Sequence, residues 1–246
     1  MIWFLWVVGT FIAVTVSSGL AGRYGKGWLF AIYAVSIVIA NVTASKLMTV
    51  FGLTVAAADI IYTIGFTTID LINEYYGKEE AKRAIVTAFF ANVLWAFSAY
   101  IAVELPPADL FAEMQPHFAA VIGAAPRIVA ASMTAYYIAS RSDVFVYHAI
   151  RLLGLPVWTR IIGSNGVSLL VDSVVFSTMA FYGIFPLAPV IVGQYITKIV
   201  ITLINIPFAY LARAVFHWSA QSQPRVPLVP SAPSSWPRKI DRRSNA

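Results

Sequence analysis

Seven apolar stretches follow one another along the chain, and most are long enough to cross a bilayer. A helix needs about 20 apolar residues to span the hydrocarbon layer. The fifth stretch is shorter, and a tilt or an extension into the preceding loop would complete it. The pattern predicts an all-α polytopic membrane protein with helices over residues 2–20, 28–48, 54–72, 84–103, 127–140, 161–183 and 188–212.

The chain divides into three predicted parts. Residues 1–27 form an extra N-terminal helix with a basic loop, and residues 28–218 form a six-helix core. The apolar run at the start has no Lys or Arg before it, which favours a retained helix over a signal peptide. Residues 219–246 are rich in Pro, Ser and Arg and predict a disordered cytoplasmic tail.

Composition supports a membrane protein and excludes several other classes. Hydrophobic residues make up 59% of the chain and charged residues 11%, against roughly 25% charged in soluble proteins. The 246 residues leave no room for a globular catalytic domain, and the absence of Cys excludes disulfides and thiolate sites. The net charge of +6 lies in alternate short loops and the tail, so it indicates orientation rather than nucleic-acid binding. The positive-inside rule places the N-terminus outside and the C-terminus inside.

Two charges stand alone inside these apolar stretches. Asp172 lies midway along the sixth stretch, and Lys198 lies inside the seventh. A charge at the bilayer centre costs about 3 kcal/mol even on gentle scales, so it usually faces a partner, a cavity or a cargo. The pair indicates a functional site, and a purely structural ion pair between two helices is the alternative.

Polar residues at three- and four-residue steps share one face of a helix. Four stretches contain such stripes, which together could line one cavity, whereas Ser and Thr taken singly are ordinary contacts between membrane helices. The stripes are Asp59, Thr63, Phe66, Asp70 and Asn73; Ser132, Tyr136, Ser140 and Asp143; Ser164, Ser168 and Asp172; and Gln194, Lys198, Thr202 and Asn205.

Signals of catalysis are weak. The three histidines fall in predicted loops or at the edge of a span, and the chain contains no HExxH motif or G-x-S-x-G elbow. A Ser–Lys dyad using Lys198 is the remaining enzymatic alternative. We therefore predict no catalytic residues, no metal site and no cofactor.

With these residues assembled, residues 41–207 resemble the queuosine precursor transporter family, also called the vitamin uptake transporter family. The resemblance rests on the order of short pieces, which begin at Asn41, Phe66, Ala131, Trp158 and Ser164 and end at Lys198 and Pro207. It implies a substrate site drawn from Asn41, Lys46, Phe66, Asp70, Glu74, Ser132, Tyr136, Asp143, Ser164, Ser168, Asp172 and Lys198.

The resemblance implies import of a deazaguanine base, 7-cyano-7-deazaguanine or a similar queuosine precursor, across the plasma membrane. Such a base has adjacent N–H donors for Asp172 and Asp70, and a carbonyl that Lys198 or Asn41 could bind. Its flat face could stack on aromatic rings, with Phe66, Tyr136 and Phe176 as candidates. We expect Lys198 to pair with Asp172 when the site is empty.

The chain departs from the family pattern at four positions. Ser140 and Leu169 stand where glutamines are common, and Ile161 and Ile162 replace an Asn pair. The lost amides either alter the specificity or are structural.

The expected partners are a small-molecule substrate and the lipid bilayer, with no nucleic acid, and a homo-oligomer is left open. No nucleotide-binding motif is present, so use of ATP would need another protein. The alternative function is a membrane-embedded structural protein, or a substrate-binding subunit of a larger transporter with a different cargo.

Overall fold

The protein is built of long helices joined by short loops. The computed structural model describes residues 2–221, with the backbone alone at residues 2, 63, 157, 158, 160 and 161. The helices are α1 (Ile2–Tyr24), α2 (Gly27–Thr43), α3 (Ala58–Tyr76), α4 (Lys78–Glu104), α5 (Gln115–Ile122), α6 (Ala125–Leu152), α7 (Val157–Phe181) and α8 (Leu187–Gln221). A single 3-10 turn (Asp109–Phe111) precedes α5, and strands β1 (Leu47–Val50) and β2 (Leu53–Ala56) connect α2 to α3.

Helix length and apolarity confirm an all-α polytopic membrane protein. In the described range, five helical segments are long and apolar enough to span a bilayer, and they include α1, α4, α6, α7 and α8. Helix α2 is equally apolar but has 17 residues, and α3 has 19 residues with three carboxylates. The large apolar side chains of α4, such as Phe90, Leu94 and Phe97, point outward, as lipid-facing residues do.

The connection between α2 and α3 differs from the prediction. The apolar pattern extends the second span to residue 48 and starts the third at residue 54, but α2 ends at Thr43 and α3 begins at Ala58. Between them β1 and β2 form an antiparallel hairpin, with Leu47 opposite Ala56. Its two turn residues, Phe51 and Gly52, both have positive φ (50° and 81°), which suits a tight hairpin turn.

The largest other differences from the predicted spans lie at the ends of the fifth and seventh spans. The fifth span is α6, which has 28 residues instead of the predicted 14 because the helix continues through Arg141 and Asp143. Helix α8 continues past residue 212 to Gln221, so residues 219–221 of the predicted tail are helical. The remainder of that tail, residues 222–246, lies outside the described residues.

Helix α1 packs lengthwise along α8. The hydroxyl of Ser18 donates to the carbonyl of Ala212 at 2.7 Å, and Ser219 donates to the carbonyl of Gly19 at 2.6 Å. Phe11 stacks on Phe208 with ring centroids 4.2 Å apart. The other faces of the bundle are closed by contacts of α2 with α3 and α4, and of α7 with α6 and α8. Helices α2, α3, α4, α6, α7 and α8 therefore surround the interior that contains the polar site.

Candidate functional site

Three charged side chains meet in the interior of the bundle. Lys198 Nζ lies 2.6 Å from Asp172 Oδ2 and 3.8 Å from Asp59 Oδ1. The three residues are 4%, 8% and 4% exposed. Removing such charges from water costs several kcal/mol for each ion, and close pairing offsets that cost. The cluster, which we call the charge triad (Asp59, Asp172 and Lys198), joins α3, α7 and α8.

The charge triad has two carboxylates and one ammonium group, and its two contacts are unequal. Lys198 donates a hydrogen bond to Asp172, whereas its distance to Asp59 is too long for one. Among the residues that the structure describes, Oδ2 of Asp59 has no hydrogen-bond partner. The triad thus offers spare acceptor capacity to a ligand with N–H donors.

The hairpin and α8 position the triad. Asp59 is the second residue of α3 and lies three residues after the end of β2. The residues that lead to it, Val55 to Ala58, are all buried. Strand β2 packs against α8 at Gly193, five residues before Lys198. Gln194 precedes Lys198 by four residues and is fully buried, and within residues 2–221 neither atom of its amide has a hydrogen-bond partner. This part of α8 therefore presents two buried polar side chains in successive turns.

A small cavity adjoins the triad. It measures about 30 Å³ and is bordered by the triad, Asn41 and Ser132, with two aromatic residues beside them. The ring centroids of those residues, Tyr62 and Phe176, lie 5.7 and 6.0 Å from Lys198 Nζ. A space of this size holds about one water molecule. It could contact an edge of a ligand but could not enclose one.

A second, larger cavity lies next to the small one. It measures about 400 Å³, within the size range of ordinary ligand pockets, and Tyr62 and Ser132 border both cavities. Its walls come from α2, α3, α4 and α6, and six of the fourteen described lining residues are aromatic, so we call it the aromatic cavity. Tyr62 and Phe66 meet edge to face there, with ring centroids 5.1 Å apart. A flat molecule in this aromatic cavity could thus direct one edge at the triad.

The structure brings together six of the residues chosen from the sequence. Asn41, Ser132, Asp172 and Lys198 border the small cavity. Phe66 and Tyr136 border the aromatic cavity. The expected contact between Lys198 and Asp172 is present at 2.6 Å.

The other six predicted residues lie outside the described borders of both cavities. Lys46 is exposed, and its backbone carbonyl accepts a hydrogen bond from Ala57. Asp70 is exposed on α3, and Glu74 forms an ion pair with Arg213 at 2.8 Å.

The last three of these six lie on α6 and α7. Asp143 is half-buried on α6, and Ser164 is buried on α7. The hydroxyl of Ser168 donates to the carbonyl of Asn165 within α7, at 3.2 Å. These positions leave their predicted contact with substrate without geometric support.

Three residues of this interior are missing from the substrate site expected from the sequence. Asp59 belongs to the predicted polar stripe of α3 but was not included in that site, and Tyr62 lies on the same face of α3, between Asp59 and Phe66. Asn92 on α4 is fully buried and accepts a hydrogen bond from Asn41 through its side-chain oxygen. It is an isolated amide in an apolar helix, so its partner on α2 could not be recognised from local pattern.

The unequal contacts of the triad predict opposite effects for its two carboxylates. Asp59→Asn removes a buried charge whose Oδ2 has no hydrogen-bond partner in the described structure, and it keeps the 2.6 Å pair, so we expect an unchanged or higher melting temperature in detergent. Asp172→Asn leaves Lys198 with only Asp59, at 3.8 Å, as a charged partner in the triad, and should lower the melting temperature. Asp70→Asn, on the exposed part of α3, is the control. A lower melting temperature for Asp59→Asn than for Asp172→Asn would contradict this ranking.

Fold and site together define a polytopic membrane protein with a polar site enclosed between its helices, an arrangement suited to transport. The family model described as "Putative vitamin uptake transporter" matches residues 54–212. A "Probable queuosine precursor transporter" of Bacillus subtilis (strain 168) is 32% identical over 197 residues, covering 77% of this chain and 85% of that protein. No solved structure matches the chain. The chain therefore belongs to the vitamin uptake transporter family, and the family match includes all three residues of the charge triad.

Proposed function

We propose that the protein imports a queuosine precursor, a deazaguanine base such as 7-cyano-7-deazaguanine, across the plasma membrane. The name of the Bacillus subtilis relative supports a queuosine precursor as the cargo. The distribution of basic residues supports an orientation with the N-terminus outside and the C-terminus inside. In that orientation the hairpin turn faces the outside.

The observation that carries the proposal is that the charge triad borders a small cavity, which shares Tyr62 and Ser132 with the aromatic cavity. A guanine-type base has a ring N–H and an exocyclic amine side by side, which carboxylates bind well through charge-assisted hydrogen bonds. Asp172 and Asp59 are the acceptors in this proposal, with Asp59 in the role that sequence reasoning gave to Asp70. Lys198 donates to the neighbouring carbonyl of the base.

The aromatic cavity would bind the flat face of the base. Phe66, Tyr62 and Tyr136 border it, and stacking on an aromatic ring contributes about 1–3 kcal/mol per base. The bound base would replace part of the contact between Lys198 and Asp172. The triad then has a partner in both states, so no buried charge is left unpaired while the protein changes conformation.

The test is a binding titration of the purified protein with a panel of purines and deazapurines, followed by uptake measurements in cells. We expect deazaguanine bases to bind and Asp172→Asn to weaken that binding roughly 10- to 150-fold, the range for losing a hydrogen bond to a charged group. Asp70→Asn is the matched carboxylate control and should bind like the wild type. Folded wild-type protein that binds no deazaguanine base would refute the proposed cargo.

A further inference from the structure

Asn92 is the most deeply buried amide on α4, and the function proposed above does not use it. Its side chain is 0% exposed, in the middle of a membrane-spanning helix. Its Nδ2 donates to the backbone carbonyl of Ala88 at 2.8 Å. Its Oδ1 accepts a hydrogen bond from Nδ2 of Asn41, which borders the small cavity.

These two hydrogen bonds determine which way both amides point. The carbonyl of Ala88 can only accept, so Asn92 must turn its NH₂ group towards it. The oxygen of Asn92 then faces Asn41, and Asn41 must donate with its own NH₂ group. An isolated amide leaves its oxygen and nitrogen hard to tell apart, but the backbone carbonyl settles the order here. The hydrogen bond to Asn92 therefore occupies one N–H of Asn41, and its oxygen is the acceptor that Asn41 can offer to the small cavity it borders.

This orientation changes the chemistry that the site offers. Sequence reasoning considered Asn41 as a donor to a ligand carbonyl, whereas its oxygen makes it an acceptor. Asn41 adds to the acceptors Asp59 and Asp172, while Lys198 is a donor and Ser132 can act as either. The matching ligand edge therefore has adjacent N–H donors and one carbonyl. A ligand that places an acceptor atom opposite Asn41 would face a second acceptor, the Asn41 oxygen, and could form no hydrogen bond with it.

We propose that Asn92 is a positioning residue that sets the ligand preference of the site by holding the oxygen of Asn41 towards the cavity. The ligand class is a planar heterocycle with a ring N–H beside an exocyclic amine. The inference rests on the proposed function, because it concerns the same site. The competing explanation, a hydrogen bond that only joins α2 to α4, would affect stability and not selectivity.

The experiment measures affinity for two ligands that differ in one group, a 7-deazaguanine and its analogue without the exocyclic amine. The ratio of the two affinities is the readout. We expect Asn92→Leu to lower this ratio roughly 2- to 10-fold, the value of one neutral hydrogen bond, because the freed Asn41 amide can turn to suit either ligand. Asn41→Ala should lower it similarly. Thr87→Val, at an exposed position on the same helix, should leave it unchanged.

A double-variant cycle tests whether the effect of Asn92 on the affinity ratio passes through Asn41. If Asn92 acts through Asn41, Asn92→Leu combined with Asn41→Ala lowers the ratio no further than Asn41→Ala alone. Effects that multiply in the double variant would overturn the proposal, as would a reduced melting temperature with an unchanged ratio. Should Asn92→Leu fail to fold, Asn92→Ser takes its place. The serine hydroxyl can still donate to the carbonyl of Ala88, but the side chain is too short to reach Asn41. An unchanged affinity ratio in Asn92→Ser would likewise overturn the proposal.

Ligand binding by the wild type distinguishes a failure of the proposed function from a failure of the role given to Asn92. If the folded wild type binds neither deazapurine, the proposed function is wrong and the inference falls with it. If the wild type binds the 7-deazaguanine and the ratio is the same in every variant, the inference alone is wrong.

Discussion

Replacing Lys198 by methionine is expected to destabilise the protein more than any other single change in the charge triad. The substitution keeps the length of the side chain but removes the ammonium group, so Asp172 and Asp59 face each other as buried carboxylates without a cation. Removing one partner of a buried ion pair typically costs about 3–5 kcal/mol. We expect a large drop in melting temperature in detergent and little folded protein in the membrane.

Neutralising the whole triad should restore folding and leave transport absent. The triple variant Asp59→Leu, Asp172→Leu and Lys198→Met removes all three charges of the triad, and replacing a buried ion pair by hydrophobic residues of similar volume is often neutral or stabilising. We therefore expect a melting temperature near that of the wild type. Uptake of the deazaguanine base should stay at background, because the carboxylate acceptors and the ammonium donor are gone.

The triple variant separates a substrate-binding triad from a purely structural one. If the charges only join α3, α7 and α8, restored stability should bring restored uptake, and that result would contradict our proposal. Asp70→Asn combined with Glu74→Gln is the matched control, because it also removes two carboxylates, both from the exposed end of α3. This control should keep both stability and uptake.

Much of the fold could be predicted from the sequence because the bilayer itself demands long apolar runs. The hairpin could not be predicted, because residues 47–56 are as apolar as the helices on either side. Strands of four residues are also too short for alternation to be distinguished from a helical pattern. The local sign of a turn was Gly52, which lies between two short runs of β-branched residues.

The site was partly predictable for a related reason. Asp172 and Lys198 are isolated charges in apolar stretches, so their cost in the membrane identified them without any knowledge of packing. The third member required a choice between Asp59 and Asp70, which share one face of α3. Eleven residues separate them, roughly 16 Å along the helix. The choice depends on depth in the bundle, and depth is set by the hairpin that carries the start of α3 inward.

The hairpin packs tightly against α8 at Gly193, where β2 crosses the helix. A Cβ atom on Gly193 would lie 1.9 Å from the backbone oxygen of Thr54 and 2.7 Å from its carbonyl carbon. Both are backbone atoms, so no side-chain rotation relieves the clash. Gly193→Ala should force β2 away from α8, at the 1–3 kcal/mol or more that overpacking typically costs. Gly9→Ala is the control, since among the described residues no heavy atom outside the local backbone of α1 lies within 4 Å of its added Cβ.

Thiol labelling can measure this movement, because the chain contains no cysteine. Val55 on β2 is fully buried, whereas Phe51 at the hairpin turn is 84% exposed, so each is a position for a single cysteine. A membrane-impermeant maleimide added to intact cells should label Phe51→Cys, as the proposed orientation requires, and should leave Val55→Cys unlabelled. Introducing Gly193→Ala should make Val55→Cys reactive.

The same substitution should reduce uptake, because β2 leads within three residues to Asp59 and its displacement would alter the distance from Asp59 to Lys198. Labelling and transport are therefore expected to change together in Gly193→Ala and to stay at wild-type values in Gly9→Ala. If Val55→Cys remained unreactive in Gly193→Ala and uptake were normal, the docking of the hairpin on α8 would not control the site. If labelling rose while uptake stayed normal, the hairpin would be mobile, and its position would not fix Asp59.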